Sequence, residues 1–96
     1  MEIKWLRKAL QNLDDEARYI AQDNPFAATT VVQRIYDSVA ILADNPAAGR
    51  SGRVPGTREL VVPDIPYIVP YRMNKVKNRI EILRVFHTSR KLPASW

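Results

Sequence analysis

The sequence predicts an α+β fold, an N-terminal antiparallel helical hairpin packed on a small antiparallel β-sheet. Three observations lead there. Apolar residues recur at helical spacing as far as residue 42, short β-branched and aromatic runs take over from residue 57, and two "DNP" triplets punctuate the first half. Each helix has one apolar stripe to bury and a sheet has one apolar face, so stacking them is the simplest closed core. A chain of 96 residues suffices for one such core, and residues 1–96 read as a single domain.

The elements follow in order. A short strand fits Glu2–Lys4. In "WLRKALQNLDDEARYIA", Leu6, Leu10, Leu13, Ala17 and Ile20 fall at steps of four, three, four and three, which is one face of a helix. Trp5 is placed to pack the start of that helix against the sheet. The helix should stop near "QDNP", because the residue before a proline is pushed out of helical geometry. Pro25 then suits the first position of a second helix capped by Asn24. Ala28, Val32, Ile35, Val39 and Leu42 form its stripe, and the second "DNP", Asp44–Pro46, ends it. So short a connection makes the pair an antiparallel hairpin.

From residue 57, "TRELVV", "PYIVPYR" and "NRIEILRVFH" read as three strands joined by "PDI" and "MNKVK", most simply a meander. Pro70 cannot donate to a ladder and needs an edge position or a bulge. Tyr67, Val69 and Tyr71 share one face and read as core. The tail "TSRKLPASW" reads as irregular. The helices cover only one side of the sheet, leaving the other open to solvent or a ligand.

Charge is distributed unevenly. Residues 1–49 carry five basic and seven acidic side chains, whereas residues 50–96 carry ten basic and three acidic. The overall charge of +5 therefore belongs to the second half, which favours an acidic or polyanionic partner. No cysteine and a single histidine rule against disulfides and a protein-ligated transition metal. No signal-peptide core or membrane-length apolar run is present, and a reducing cytoplasm is the expected location. In "SGRVPGTREL", Pro55-Gly56 is enough to make a turn. Arg50, Arg53 and Arg58 are surplus to it. They read either as structural, for example Arg58 paired with Asp64 or Glu81, or as part of a binding surface.

The succession of a helical hairpin, "GRVPGTREL", "PYIVPYR" and "IEILRVFHTSRK" resembles the RelE/ParE superfamily of small toxins from bacterial type II toxin–antitoxin pairs. The resemblance covers nearly the whole chain, and "GRVPGTREL" followed by "ILRVFHTSR" carries most of it. It implies an α+β toxin fold, no cofactor and no membrane partner. It also implies neutralisation by a cognate antitoxin, of ribbon-helix-helix type with a segment disordered until bound, through which alone operator DNA would be reached.

Two branches compete within that resemblance. RelE-like relatives cut mRNA on the ribosome, whereas ParE-like relatives inhibit DNA gyrase. An RNase of this kind must activate a ribose hydroxyl, neutralise the phosphate and protonate the leaving oxygen. Aligned RelE-like enzymes carry lysines on the strand matching "TRELVV" and an arginine after the aromatic matching Tyr67. Here Glu59, Val61 and Ile68 stand at those places, which favours the ParE-like branch. An endoribonuclease would have to be built from His87, Arg90, Arg84 and Glu59, although Glu59 reads first as a strand-surface charge. The ParE-like reading implies a target-binding set of Arg53, Arg58, Arg84, His87, Arg90, Lys91 and Trp96. Trp96 reads either as a frayed end or as an aromatic anchor. Leu6, Leu10, Ile35 and Leu42 read as core first, and as antitoxin-binding where their stripes stay exposed.

Overall fold

In the computed structural model, which describes residues 1–96, the order is β1 (Glu2–Trp5), α1 (Arg7–Ala21), α2 (Pro25–Ala40), a 3-10 turn (Ile41–Ala43), β2 (Arg50–Ser51), β3 (Arg58–Val61), β4 (Tyr67–Asn74), β5 (Arg79–Ile82) and β6 (Phe86–His87). The local signals place the helix ends as expected. Asn24 caps α2 by accepting a hydrogen bond from the Ala27 amide at 3.0 Å, and Pro25 opens the helix. Ala28, Ile35, Val39 and Leu42 are buried along the predicted stripe. The face of α1 is rotated relative to expectation. Ala9, Leu13 and Glu16 are buried, and Leu10 is left 44% exposed.

The predicted meander exists as β3, β4 and β5, but it is incomplete as a description of the sheet. The strand order is β1-β5-β4-β3-β2, and β1 pairs with β5 in parallel, so the sheet is mixed. The third predicted run is divided. Tyr71 pairs with Ile82 and Ile68 with Phe86, so three residues, Leu83–Val85, lie opposite two, Val69 and Pro70. This is a bulge placed beside the proline. Pro70 sits in a central, buried strand, where its missing N–H faces the bulged run. Its carbonyl still accepts from the Leu83 amide at 2.9 Å. The Val85 amide, displaced from the ladder, donates to Asn12 Oδ1 on α1 at 3.2 Å.

Alternation along β4 sends Tyr67, Val69 and Tyr71 toward the helices, as predicted, where they join Ile80, Ile82, Leu13, Ile35 and Val39. Trp5 borders this core, its ring tilted against Tyr36 of α2 at 4.9 Å. Burying each large aliphatic side chain is worth roughly 1.5–3 kcal/mol, so this layer dominates the stability. The opposite face is less open than expected, because the tail folds back over part of it. Trp96 stacks at 5.5 Å and 34° on Phe86, the cross-strand neighbour of Ile68. No helix is long and apolar enough to cross a membrane.

Candidate functional site

The four residues of the RNase alternative are divided between the two faces of the sheet. His87 pairs with Tyr67 and lies on the helix side; Glu59 pairs with Pro70 and lies on the other. His87 and Arg90 do come together, in a cavity of about 540 Å³ shared with Tyr67, Tyr19 and Ser89. His87 meets the Tyr67 ring edge-on at 5.2 Å. Its Nδ1 accepts from the Ser89 amide at 3.1 Å, so the neutral ring carries its proton on Nε2.

The central group of this cavity is Glu16, which the sequence reading missed. Only 5% exposed, it accepts from the Tyr67 hydroxyl at 2.9 Å and forms an ion pair with Arg90. Burial, followed by the bond to Glu16 and its negative charge, pushes the Tyr67 phenol up to about 12. The signal was present in the sequence. Glu16 falls in phase with Ala9, Leu13 and Ile20, and a carboxylate in an apolar stripe needs buried partners.

Glu59 is not a strand-surface charge. It is 3% exposed, because the turn around "GRVPG" closes over it. Arg50 pairs with it at 3.2 Å, and the Arg53 amide donates to its other oxygen at 3.0 Å. The turn itself is Val54–Thr57, with Gly56 at φ 79° following Pro55, as a type II turn requires. Arg58 binds neither Asp64 nor Glu81. Its guanidinium donates to the Gly49 carbonyl at 2.9 Å, while Asp64 pairs with Arg34. Glu81 is engaged at 2.7 Å by both Arg72 and Arg79, and these bonds hold its carboxyl down to about 2.

Arg84 is likewise engaged. Its Nε donates to Asn12 Oδ1 at 2.8 Å, its Nη1 reaches the Trp96 carbonyl at 3.4 Å, and its guanidinium lies 4.8 Å from the centre of the Phe86 ring. Trp96 is therefore not a frayed end: it is half-buried and its Nε1 also reaches Thr57 Oγ1 at 3.4 Å. Lys91 and the Arg53 side chain are exposed and form no ion pair.

The expected antitoxin-binding set also divides. Ile35 and Leu42 are fully buried in the core and present no surface to a partner, because both face the sheet from α2 and the turn that follows it. Leu6 is half-buried and Leu10 exposed. A separate shallow groove of about 420 Å³ runs between the helices, its floor of Ala17, Ala21, Ala28 and Val32 bordered by Arg18, Thr29 and Gln33.

Comparison with known proteins finds toxins. Residues 3–92 match the family model described as ParE toxin of type II toxin-antitoxin system, parDE. The Sinorhizobium fredii protein Y4kP, named as a candidate toxin, is 48% identical over 91 residues, covering 95% of this chain and 92% of that protein. Toxin RelE2 of Caulobacter vibrioides is 29% identical over 89 residues, covering 93% and 97%. A chain from a structure titled as the chromosomal ParDE toxin–antitoxin system of P. aeruginosa superposes with a TM-score of 0.79 at 36% identity, covering 91% of this chain and 95% of that one.

Proposed function

Because the chain belongs to the ParE toxin family of type II toxin–antitoxin systems, we propose that it inhibits DNA gyrase by binding it, and that a cognate antitoxin neutralises it. The action is placed in the cytoplasm, where gyrase works. The antitoxin is of ribbon-helix-helix type and brings its own DNA-binding element, so operator DNA is engaged only in the complex. The groove between α1 and α2 offers an apolar seat for an amphipathic antitoxin segment.

The observation that carries the non-catalytic reading is the pairing of Arg90 with Glu16. A phosphate-cleaving site needs a cation left over to meet charge building on the phosphate, and removing one such contact costs about a hundredfold to a thousandfold in rate. Here Arg90, which shares the cavity with His87, is already paired with Glu16, and the hydroxyl of Tyr67 keeps its proton up to about 12. Glu59 lies on the far face beneath Arg50.

The direct test is to incubate the purified protein with gyrase and relaxed plasmid. Loss of supercoiling, or trapping of a cleaved complex, is the expected result; full supercoiling at saturating toxin would refute the reading. Primer extension on mRNA from cells expressing the chain serves as the second arm. Fresh cuts that vanish in His87→Ala would establish the endoribonuclease instead.

A further inference from the structure

The toxin reading leaves open which surface meets the target, and on that reading the structure offers a groove distinct from the one between the helices and from the His87 cavity. It has a volume of about 710 Å³ and lies where the start of α1 approaches the Val54–Thr57 turn and the folded-back tail. Leu6, Val54, Leu83 and Trp96 give it an apolar lining, all of them at least partly buried. Arg7 and Lys8 stand exposed at its rim. Neither takes part in an ion pair, unlike Arg72 at the same rim, which Glu81 holds.

We propose that this groove docks the target protein through an acidic segment that inserts a bulky apolar side chain beside Trp96. The lining supplies an apolar pocket with an aromatic wall, the setting in which a few interface residues carry most of the binding free energy. The rim supplies the complementary charge. Two solvated, unpaired cations meet carboxylates without first giving up partners, and they steer an acidic segment toward the pocket. The pocket is assembled by the tail: Trp96 is held by Arg84 and Thr57, so it is preformed in the free toxin. It shares no residue with the groove between α1 and α2 that is proposed to seat the antitoxin.

The test compares wild type with two charge reversals of equal size, Arg7→Glu/Lys8→Glu at the rim and Lys75→Glu/Lys77→Glu in the exposed turn between β4 and β5. The rim pair occupies the first turn of α1, which has no acidic residue, and carboxylates there favour the helix, so the variant is not expected to lose its fold. Gyrase affinity, growth arrest on expression and affinity for the antitoxin encoded beside the toxin are read for each. The rim reversal should weaken gyrase binding by about tenfold or more and relieve growth arrest, with antitoxin affinity held and a clearly smaller loss in the turn reversal, which alters only the long-range field. Retained growth arrest in the rim variant, equal losses in both variants, or lost antitoxin binding with toxicity kept would each overturn the proposal. If wild type arrests growth without touching gyrase and the rim reversal relieves that arrest, the groove stands and the gyrase reading falls.

Discussion

Tyr67 shows how a single polar contact shapes this protein. Its hydroxyl is buried and donates to Glu16, so ionisation would remove the donor and place a second negative charge beside a carboxylate. The phenol is accordingly raised from 10.0 to about 12. The sign follows directly. The fold favours the protonated phenol, so this stabilisation is complete below pH 10.0 and is lost as the pH rises through about 12. An ultraviolet titration should show a tyrosine ionising near pH 12, and Tyr67→Phe should remove that step; a titration unchanged by the substitution would exclude Tyr67 as its source. Residue roles of this kind were the least legible in the sequence. Arg50, Arg53 and Arg58 stand out in the sequence as a group around the Pro55-Gly56 turn. That one guanidinium and one amide would clamp Glu59, and that another guanidinium would take a carbonyl, depends on how the turn closes.

At the scale of elements, the loop from α2 to β3 is fixed by one aromatic side chain. The Gly49 amide donates to the Tyr71 hydroxyl at 2.8 Å, and that hydroxyl donates to the Pro46 carbonyl at 2.7 Å. A Cβ on Gly49 would stand 2.6 Å from a Tyr71 ring carbon and 2.7 Å from its oxygen. Gly49→Ala should therefore destabilise the protein by about 1–3 kcal/mol, as overpacking does, visible as a lower midpoint in urea. An unchanged midpoint would mean that the loop yields without cost. The bulge opposite Pro70 belongs to this scale too. The proline announced that the ladder must break, and the neighbouring run shows where.

For the whole molecule, the charge asymmetry of the sequence survives folding only in part. Arg50, Arg72, Arg79 and Arg90 are each bound to a buried carboxylate, so the field available to a partner comes from unpaired groups such as Arg7, Lys8, Lys75, Lys77 and Lys91. Exposed charges act over a Debye length of about 10 Å at 0.1 M salt. Association with the proposed target, gyrase, should therefore slow steeply as ionic strength rises, with a smaller effect on dissociation, when measured by stopped-flow or surface binding. Equal association rates at low and high salt would show that the field plays no part in encounter.

Read alone, the sequence establishes the helical hairpin, the capped start of α2, the strand runs up to the break in the third, the buried face of β4 and the likeness to the toxin superfamily. These are legible because periodicity, caps and turn residues act between neighbours along the chain. Tertiary structure alone decided the parallel pairing of edge strand β1, the partners that Glu16 meets and the docking of Trp96. Each depends on residues far apart in sequence. Glu16 and Arg90 are separated by 74 positions, and the cost of burying a carboxylate is met only once packing has brought its partners to it.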